Sequence, residues 1–149
     1  MEYQVEVLRG QHEDFTNFLS DKIRAYNNEQ SPYHRESRKK GAVLPLQLIV
    51  TDQQQQWIGG ITAEVYWGWI EIHKFWFSEE YRGKGIGTKL LAQAELVAKD
   101  MGATKALLTT YEFQARTFYE AHGYQVVGEI KDYPPGSSYY TMVKVLPRE

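Results

Sequence analysis

Two helical stripes, one stretch of period-two alternation and one short apolar run predict a mixed α/β domain built around a single sheet. The stripes are Phe15, Phe18, Leu19, Ile23 and Tyr26, and then Leu90, Leu91, Ala94, Val97, Ala98 and Met101. Each recurs at three- and four-residue spacing, which gathers apolar side chains on one helix face. Leu44, Leu46, Leu48 and Val50 alternate instead, as a half-buried strand does. Ala106-Leu107-Leu108-Thr109-Thr110 is apolar enough for a strand covered on both faces, as in a parallel pairing.

Alternation at Tyr3, Val5 and Val7 reads as a first strand, turned by Gly10 into the first helix, which ends near Asn27-Asn28. Residues 29–41 hold Pro32 and a basic cluster at Arg35, Arg38, Lys39 and Lys40, read as a solvated loop or a short irregular helix. The strand from Leu44 turns through the polar run Thr51–Gln56 into a second, Trp57–Val65, in which Gly59-Gly60 marks a bulge or a close backbone approach. Trp67-Gly68-Trp69 then leads tightly into the strand Ile70–Phe77, completing an antiparallel meander. Gly102 ends the helix of the second stripe ahead of the strand 106–110. A further helix, Gln114–His122, is capped by Gly123 before the strands Tyr124–Ile130 and Tyr139–Leu146, which the loop 133–138 joins. The order is β-α-βββ-α-β-α-ββ, all within one domain over 1–149.

The chain has 149 residues, 17 Lys+Arg against 19 Asp+Glu, and no cysteine. The length suits one core. Without cysteine there is no disulfide, no thiolate metal site and no cysteine nucleophile. A net charge of −2 gives no global case for nucleic-acid binding. The start shows no signal-peptide pattern and no apolar run is long enough to span a bilayer, so a cytoplasmic location away from membranes is expected. His12, His34, His73 and His122 lack metal-ligand spacing, so no metal is expected.

The segment Arg82-Gly83-Lys84-Gly85-Ile86-Gly87-Thr88-Lys89 lies between a strand and an amphipathic helix. Its glycines let backbone amides converge, and the helix N-terminus adds unpaired N–H groups, which together suit a phosphate. The spacing matches neither G-x-x-x-x-G-K-[ST] nor G-x-G-x-x-G. It does resemble the R/Q-x-x-G-x-G/A signature of the GNAT superfamily of acyl-CoA-dependent N-acyltransferases, through Arg82, Gly85 and Gly87. Ala115-Arg116-Thr117-Phe118-Tyr119-Glu120-Ala121-His122-Gly123-Tyr124 is similar to that family's A-x-x-F-Y-x-x-x-G-Y segment. Phe113-Gln114-Ala115 and Tyr133-Pro134-Pro135-Gly136 resemble a group of small bacterial members. Where many members carry an asparagine that contacts the cofactor this chain has Glu112, to which no contact is carried over.

The resemblance implies the GNAT fold: a mostly antiparallel mixed sheet, helices on both faces, and the fourth and fifth strands (70–77 and 106–110) splayed around acetyl-CoA as cosubstrate. It implies that the amides of Gly83, Lys84, Gly85, Ile86, Gly87 and Thr88 hold the pyrophosphate, with Arg82, Lys84 and Lys89 adding charge. The pantetheine arm would pair with Phe75, Trp76 and Phe77 like an added strand. Direct acetyl transfer to a primary amine in a ternary complex needs a neutral amine, and for a lysine-like acceptor roughly 3.4 pKa units, ~4.6 kcal/mol, separate it from that state at pH ~7. Glu71, eleven residues before Arg82, stands where some members place a catalytic glutamate, and His73 faces the same way; either could accept the proton. Tyr119 is the residue the motif offers as proton donor to the leaving thiolate. Trp67, Trp69, Tyr133, Tyr139 and Tyr140 are read first as packing, with an acceptor-lining role left open. Two other classes stand beside the enzyme: a CoA-binding regulatory module without turnover, and an interaction domain whose glycines are structural. The acceptor's identity is open, and a homodimer is compatible with the family.

Overall fold

A computed structural model describes residues 1–148, and its contacts divide them into two units, Met1–Lys40 and Gly41 onward. The first unit is helical. Helix α1, Glu13–Gln30, is capped by His12, whose Nδ1 accepts the Phe15 N–H at 3.0 Å, while Glu13 and Asp14 complement the dipole in its first turn. Ser31 ends this helix and begins the next. Its N–H donates to the Asn27 carbonyl at 2.8 Å, and its hydroxyl accepts from the His34 N–H at 3.3 Å to cap α2, Pro32–Ser37, with Pro32 at the first helical position. The basic cluster therefore begins on a short helix. Tyr3–Val7 does not form the expected strand: it pairs with no strand among the described residues. Alternation marks which way side chains would point, but a strand exists only where a ladder partner takes its N–H and C=O groups.

The second unit is a six-stranded sheet in the order β1-β2-β3-β4-β6-β5. Its strands are β1 Leu44–Thr51, β2 Trp57–Tyr66, β3 Trp69–Phe77, β4 Lys105–Tyr111, β5 Gln125–Lys131 and β6 Ser138–Val145; α3 spans Ile86–Asp100 and α4 Arg116–Ala121. All neighbours are antiparallel except β3 and β4. That parallel ladder covers only Trp69–Glu71 against Lys105–Leu107, and beyond it the two strands diverge. This is the splay expected of the fourth and fifth strands. Gly59 and Gly60 lie where strands approach closely: a Cβ on Gly59 would strike the Trp76 carbonyl and the Phe77 ring, and one on Gly60 the Leu48 carbonyl.

Helices α3 and α4 share one face of the sheet. Ile61, Ile70 and Met142 meet Leu91 and Tyr119 in a core where Ile70 and Met142 are wholly buried. Burial of each such aliphatic side chain contributes about 1.5–3 kcal/mol. One polar brace crosses this face. Glu95 on α3 accepts from the Tyr124 hydroxyl at 2.8 Å and from Lys144 Nζ at 2.7 Å, tying α3 to β6 and to the residue just before β5. Burial, reinforced by the Glu95 charge, raises the Tyr124 pKa and keeps its hydroxyl a donor.

Candidate active site

The divergence of β3 and β4 opens a cleft of about 730 Å³. One wall is the end of β3, Phe75, Trp76 and Phe77; another is the segment from Arg82 to Thr88; the third comes from Phe113–Ala115 with Phe118 and Tyr119 of α4. Of the residues singled out for the cofactor, Phe75, Trp76, Phe77, Arg82, Gly83, Gly85, Ile86, Gly87 and Thr88 line this cleft. Lys84 does not; its Nζ lies 5.9 Å over the Tyr81 ring.

Local backbone chemistry explains the loop. Gly83 and Gly85 sit at φ +75° and +80°, the left-handed region that favours glycine. Gly85 is the N-cap of α3 and offers no side-chain acceptor, so no cap pairs the N–H groups of Ile86, Gly87 and Thr88, all of them residues that line the cleft. Gly87 differs from Gly83 and Gly85: a Cβ there would make ordinary van der Waals contact, 3.4 Å from the Phe118 ring and 3.7 Å from the Phe77 ring, so packing alone does not demand glycine. Arg82 is anchored by its Nε, which donates to the Phe77 carbonyl at 3.0 Å. His122, at the end of α4, links the two helices: its Nδ1 donates to the Phe118 carbonyl at 2.7 Å and its Nε2 lies 3.0 Å from the Thr88 hydroxyl. In the neutral tautomer that bond fixes, Nε2 accepts from Thr88.

Tyr119 is buried on α4, its ring packed between Phe75 at 6.3 Å and Tyr124 at 5.7 Å. Among the described residues nothing hydrogen-bonds its hydroxyl, and burial alone raises its pKa to about 12. A protonated phenol without a protein partner thus lines the cleft.

Glu71 and His73 lie outside the cleft lining, on the sheet face opposite α3. Glu71 stands against Glu64 in the β2–β3 ladder. Each candidate base has a partner: the Tyr66 hydroxyl donates to Glu71 Oε1 at 2.7 Å, and His73 Nε2 lies 2.8 Å from Glu64 Oε1. The bond to Glu71, with burial and the carboxylate charges adding to it, raises the Tyr66 pKa to about 12. Register explains His73. Thr62 pairs with Lys74 while Ala63 pairs with Ile72, so His73 is the extra residue of a β-bulge. Tyr66, Glu64 and His122 are not evident from spacing alone, because their partners meet them only through cross-strand register or from 34 residues away. The bulge did leave a signal: the apolar positions Ile70, Ile72, Phe75 and Phe77 step by two, three and two. Glu112 has its N–H bonded to the Ser138 carbonyl at 2.9 Å, in the turn after β4.

A family model described as the GNAT acetyltransferase family matches residues 9–124. The chain belongs to the GNAT acetyltransferase family. A blasticidin-S acetyltransferase of Streptomyces morookaense is 32% identical over 131 residues, covering 84% of this chain and 96% of that protein. The crystal structure of an acetyltransferase from Bacillus cereus is similar with a TM-score of 0.80 and 26% identity, covering 95% of this chain and 98% of that one. A Bacillus anthracis acetyltransferase named for streptothricin, solved in complex with acetyl coenzyme A, shares the fold at a TM-score of 0.61 and 24% identity, over 82% of this chain and 72% of that one. The splayed strands, the glycine loop and the fold of this GNAT protein agree with one another. No helix among the described residues is long and apolar enough to cross a membrane.

Proposed function

We propose that residues 1–149 act as one N-acetyltransferase domain that moves an acetyl group from acetyl-CoA to a primary amine within a ternary complex. The observation that carries this reading is the cleft itself, where the unpaired amides that begin α3 and the unpartnered Tyr119 hydroxyl line a gap between diverging parallel strands. The pyrophosphate is held by the amides of Gly83, Gly85, Ile86, Gly87 and Thr88, with Arg82 beside them and Lys84 nearby supplying charge. The pantetheine amides take up backbone groups of Phe75–Phe77 that β4 leaves free. The relative named for blasticidin S favours a small-molecule amine over a protein as acceptor.

Proton balance assigns the remaining parts. Glu71 or His73, directly or through water, takes one proton from the ammonium form of the acceptor. The freed amine attacks the thioester carbonyl, the C–N bond forms, the C–S bond breaks, and the second nitrogen proton goes to the sulfur. A phenol raised to about 12 holds its proton too tightly to give it up outright. Against a thiol of pKa ~8.5, full transfer is uphill by about 5 kcal/mol. Tyr119 therefore works as a hydrogen-bond donor to the departing sulfur.

Thermal stability with and without acetyl-CoA tests the reading. At a hundred times its Kd, a ligand stabilises the native state by ~2.7 kcal/mol, which at this size raises Tm by roughly 5–10 °C. Thiol release in an amine screen should follow. No shift at millimolar cofactor refutes the assignment, and a shift without thiol release from any amine leaves only a CoA-binding regulatory module.

A further inference from the structure

An aromatic face adjoins the cleft on the β4 side. Phe113 lines the cleft, and its ring lies parallel to that of Tyr111, the centroids 5.4 Å apart and the planes 6° apart. Tyr111 meets Tyr139, its direct partner on β6, at 4.7 Å and Tyr133 at 6.4 Å, with 23° between the last two planes. Tyr133 closes on Tyr139 at 5.4 Å.

The supports of these rings are fixed. Gln114 Oε1 accepts the Tyr111 N–H at 2.9 Å and the Thr110 hydroxyl at 3.3 Å, which sets the turn that carries Phe113. The loop of Tyr133 is closed by the Ser137 N–H on the Pro134 carbonyl at 2.9 Å and the Tyr133 N–H on the Ser137 carbonyl at 3.2 Å. Yet Phe113 is 68% and Tyr133 52% exposed, and neither belongs to the core. Large rings on rigid supports, bordering a reaction cleft and left out of the core, are a recognition surface.

Position and electrostatics narrow the ligand. Glu71 registers against Leu107 on β4, and Tyr111, four residues on, faces the same side by the strand's period of two. Both candidate bases and the aromatic face are thus offered to the same compound. Ring faces carry negative potential and attract flat, electron-poor or cationic groups, and the Glu64 and Glu71 carboxylates add to that preference.

We propose that Tyr111, Phe113, Tyr133 and Tyr139 form an acceptor platform, and that the acceptor is a primary amine bearing a flat delocalised group, a heteroaromatic ring or a guanidinium. This rests on the acetyltransferase reading and adds the class of amine to it. The acceptor's flat group stacks on Phe113, Tyr111 and Tyr133 while its amine reaches the thioester.

The test is saturation-transfer NMR on the CoA-loaded protein with tryptamine, agmatine and putrescine, together with thiol release from acetyl-CoA. Tryptamine or agmatine is expected to bind roughly three- to tenfold more tightly than putrescine, the factor that one aromatic contact supplies. Which of the two does so separates ring from guanidinium. Tyr133→Leu should remove about that factor with acetyl-CoA affinity unchanged, and Tyr133→Phe should retain it. Equal binding of putrescine, or an undiminished preference in Tyr133→Leu, overturns the platform. Because binding is read apart from turnover, flat amines that bind without thiol release refute the transfer reading alone, and thiol release that favours putrescine refutes the platform alone.

Discussion

Tyr119→Phe separates chemistry from folding. The hydroxyl has no hydrogen-bond partner among the described residues, while the ring packs against Phe75, Phe118 and Tyr124. Phenylalanine keeps the ring and those contacts and removes one oxygen that nothing in the fold uses. A buried hydroxyl without a partner costs ~1–3 kcal/mol, lessened here because the group opens on the cleft. The variant should therefore be as stable as the parent, or more stable by up to about 1 kcal/mol, a rise in Tm of roughly 2–4 °C. Its kcat should fall by ~10²-fold, equivalent to ~2.7 kcal/mol of transition-state stabilisation, because the departing sulfur loses its donor. Acetyl-CoA affinity should change little, since the loop amides are untouched. Steady-state thiol release, a cofactor titration and a melting curve on the same preparation supply the three numbers. A kcat within about threefold of the parent, or a loss of stability that accounts for the lost activity, would refute the role.

Glu71→Gln keeps an amide oxygen that can accept from Tyr66, so the fold should hold. Its kcat/KM should fall ~10- to 100-fold at neutral pH and recover as pH approaches the acceptor's own pKa, measured as a pH–rate profile. Lys144→Met takes from Glu95 its Lys144 ion pair, leaving the Tyr124 hydroxyl bond in a nearly buried site, and should cost about 3 kcal/mol, read as a fall in Tm of roughly 6–12 °C. Between the ordinary tyrosine pKa of ~10 and the folded value of about 12, the unfolded chain has released the Tyr119 proton while the native state retains it. That contribution is complete below pH ~10 and is lost as pH rises through the folded value, so denaturant titrations should show a shallower alkaline decline in Tyr119→Phe than in the parent.

The parts legible in the sequence are those written in local periodicity. The stripe from Leu90 to Met101, the alternation from Leu44 and the apolar run at 106–110 report burial residue by residue, and α3, β1 and β4 form there. The glycine loop was legible for the same reason, since positive φ at Gly83 and Gly85 is a local demand. Partnership is not local. Tyr3, Val5 and Val7 carry the alternation of a strand without its ladder, and the Tyr66–Glu71 and Glu64–His73 pairs exist only because β2 and β3 take one particular register. The aromatic face has the same character: Tyr111 and Tyr139 are 28 residues apart in number and directly opposite in the β4–β6 ladder.

The cleft itself traces to one residue. The β3–β4 ladder ends at Glu71 against Leu107, and the bulge at His73 follows immediately. A bulge bends its strand and increases the local twist, so β3 turns away from β4 at the point where the cleft begins. Without His73, the strand would read Ile70-Glu71-Ile72-Lys74-Phe75-Trp76-Phe77, an unbroken alternation with Ile70, Ile72, Phe75 and Phe77 on the core side. The inserted residue is thus not needed for burial and is needed for divergence. Deleting His73 should leave a cooperatively folded protein whose Tm no longer rises with acetyl-CoA, as β3 straightens and extends its ladder with β4 across the space the pantetheine occupies. His73→Ala keeps the extra backbone unit and should keep the cofactor shift while losing the Glu64 contact. A deletion variant with an intact shift, or one that fails to fold where His73→Ala folds, overturns the account of the bulge as the element that opens the site.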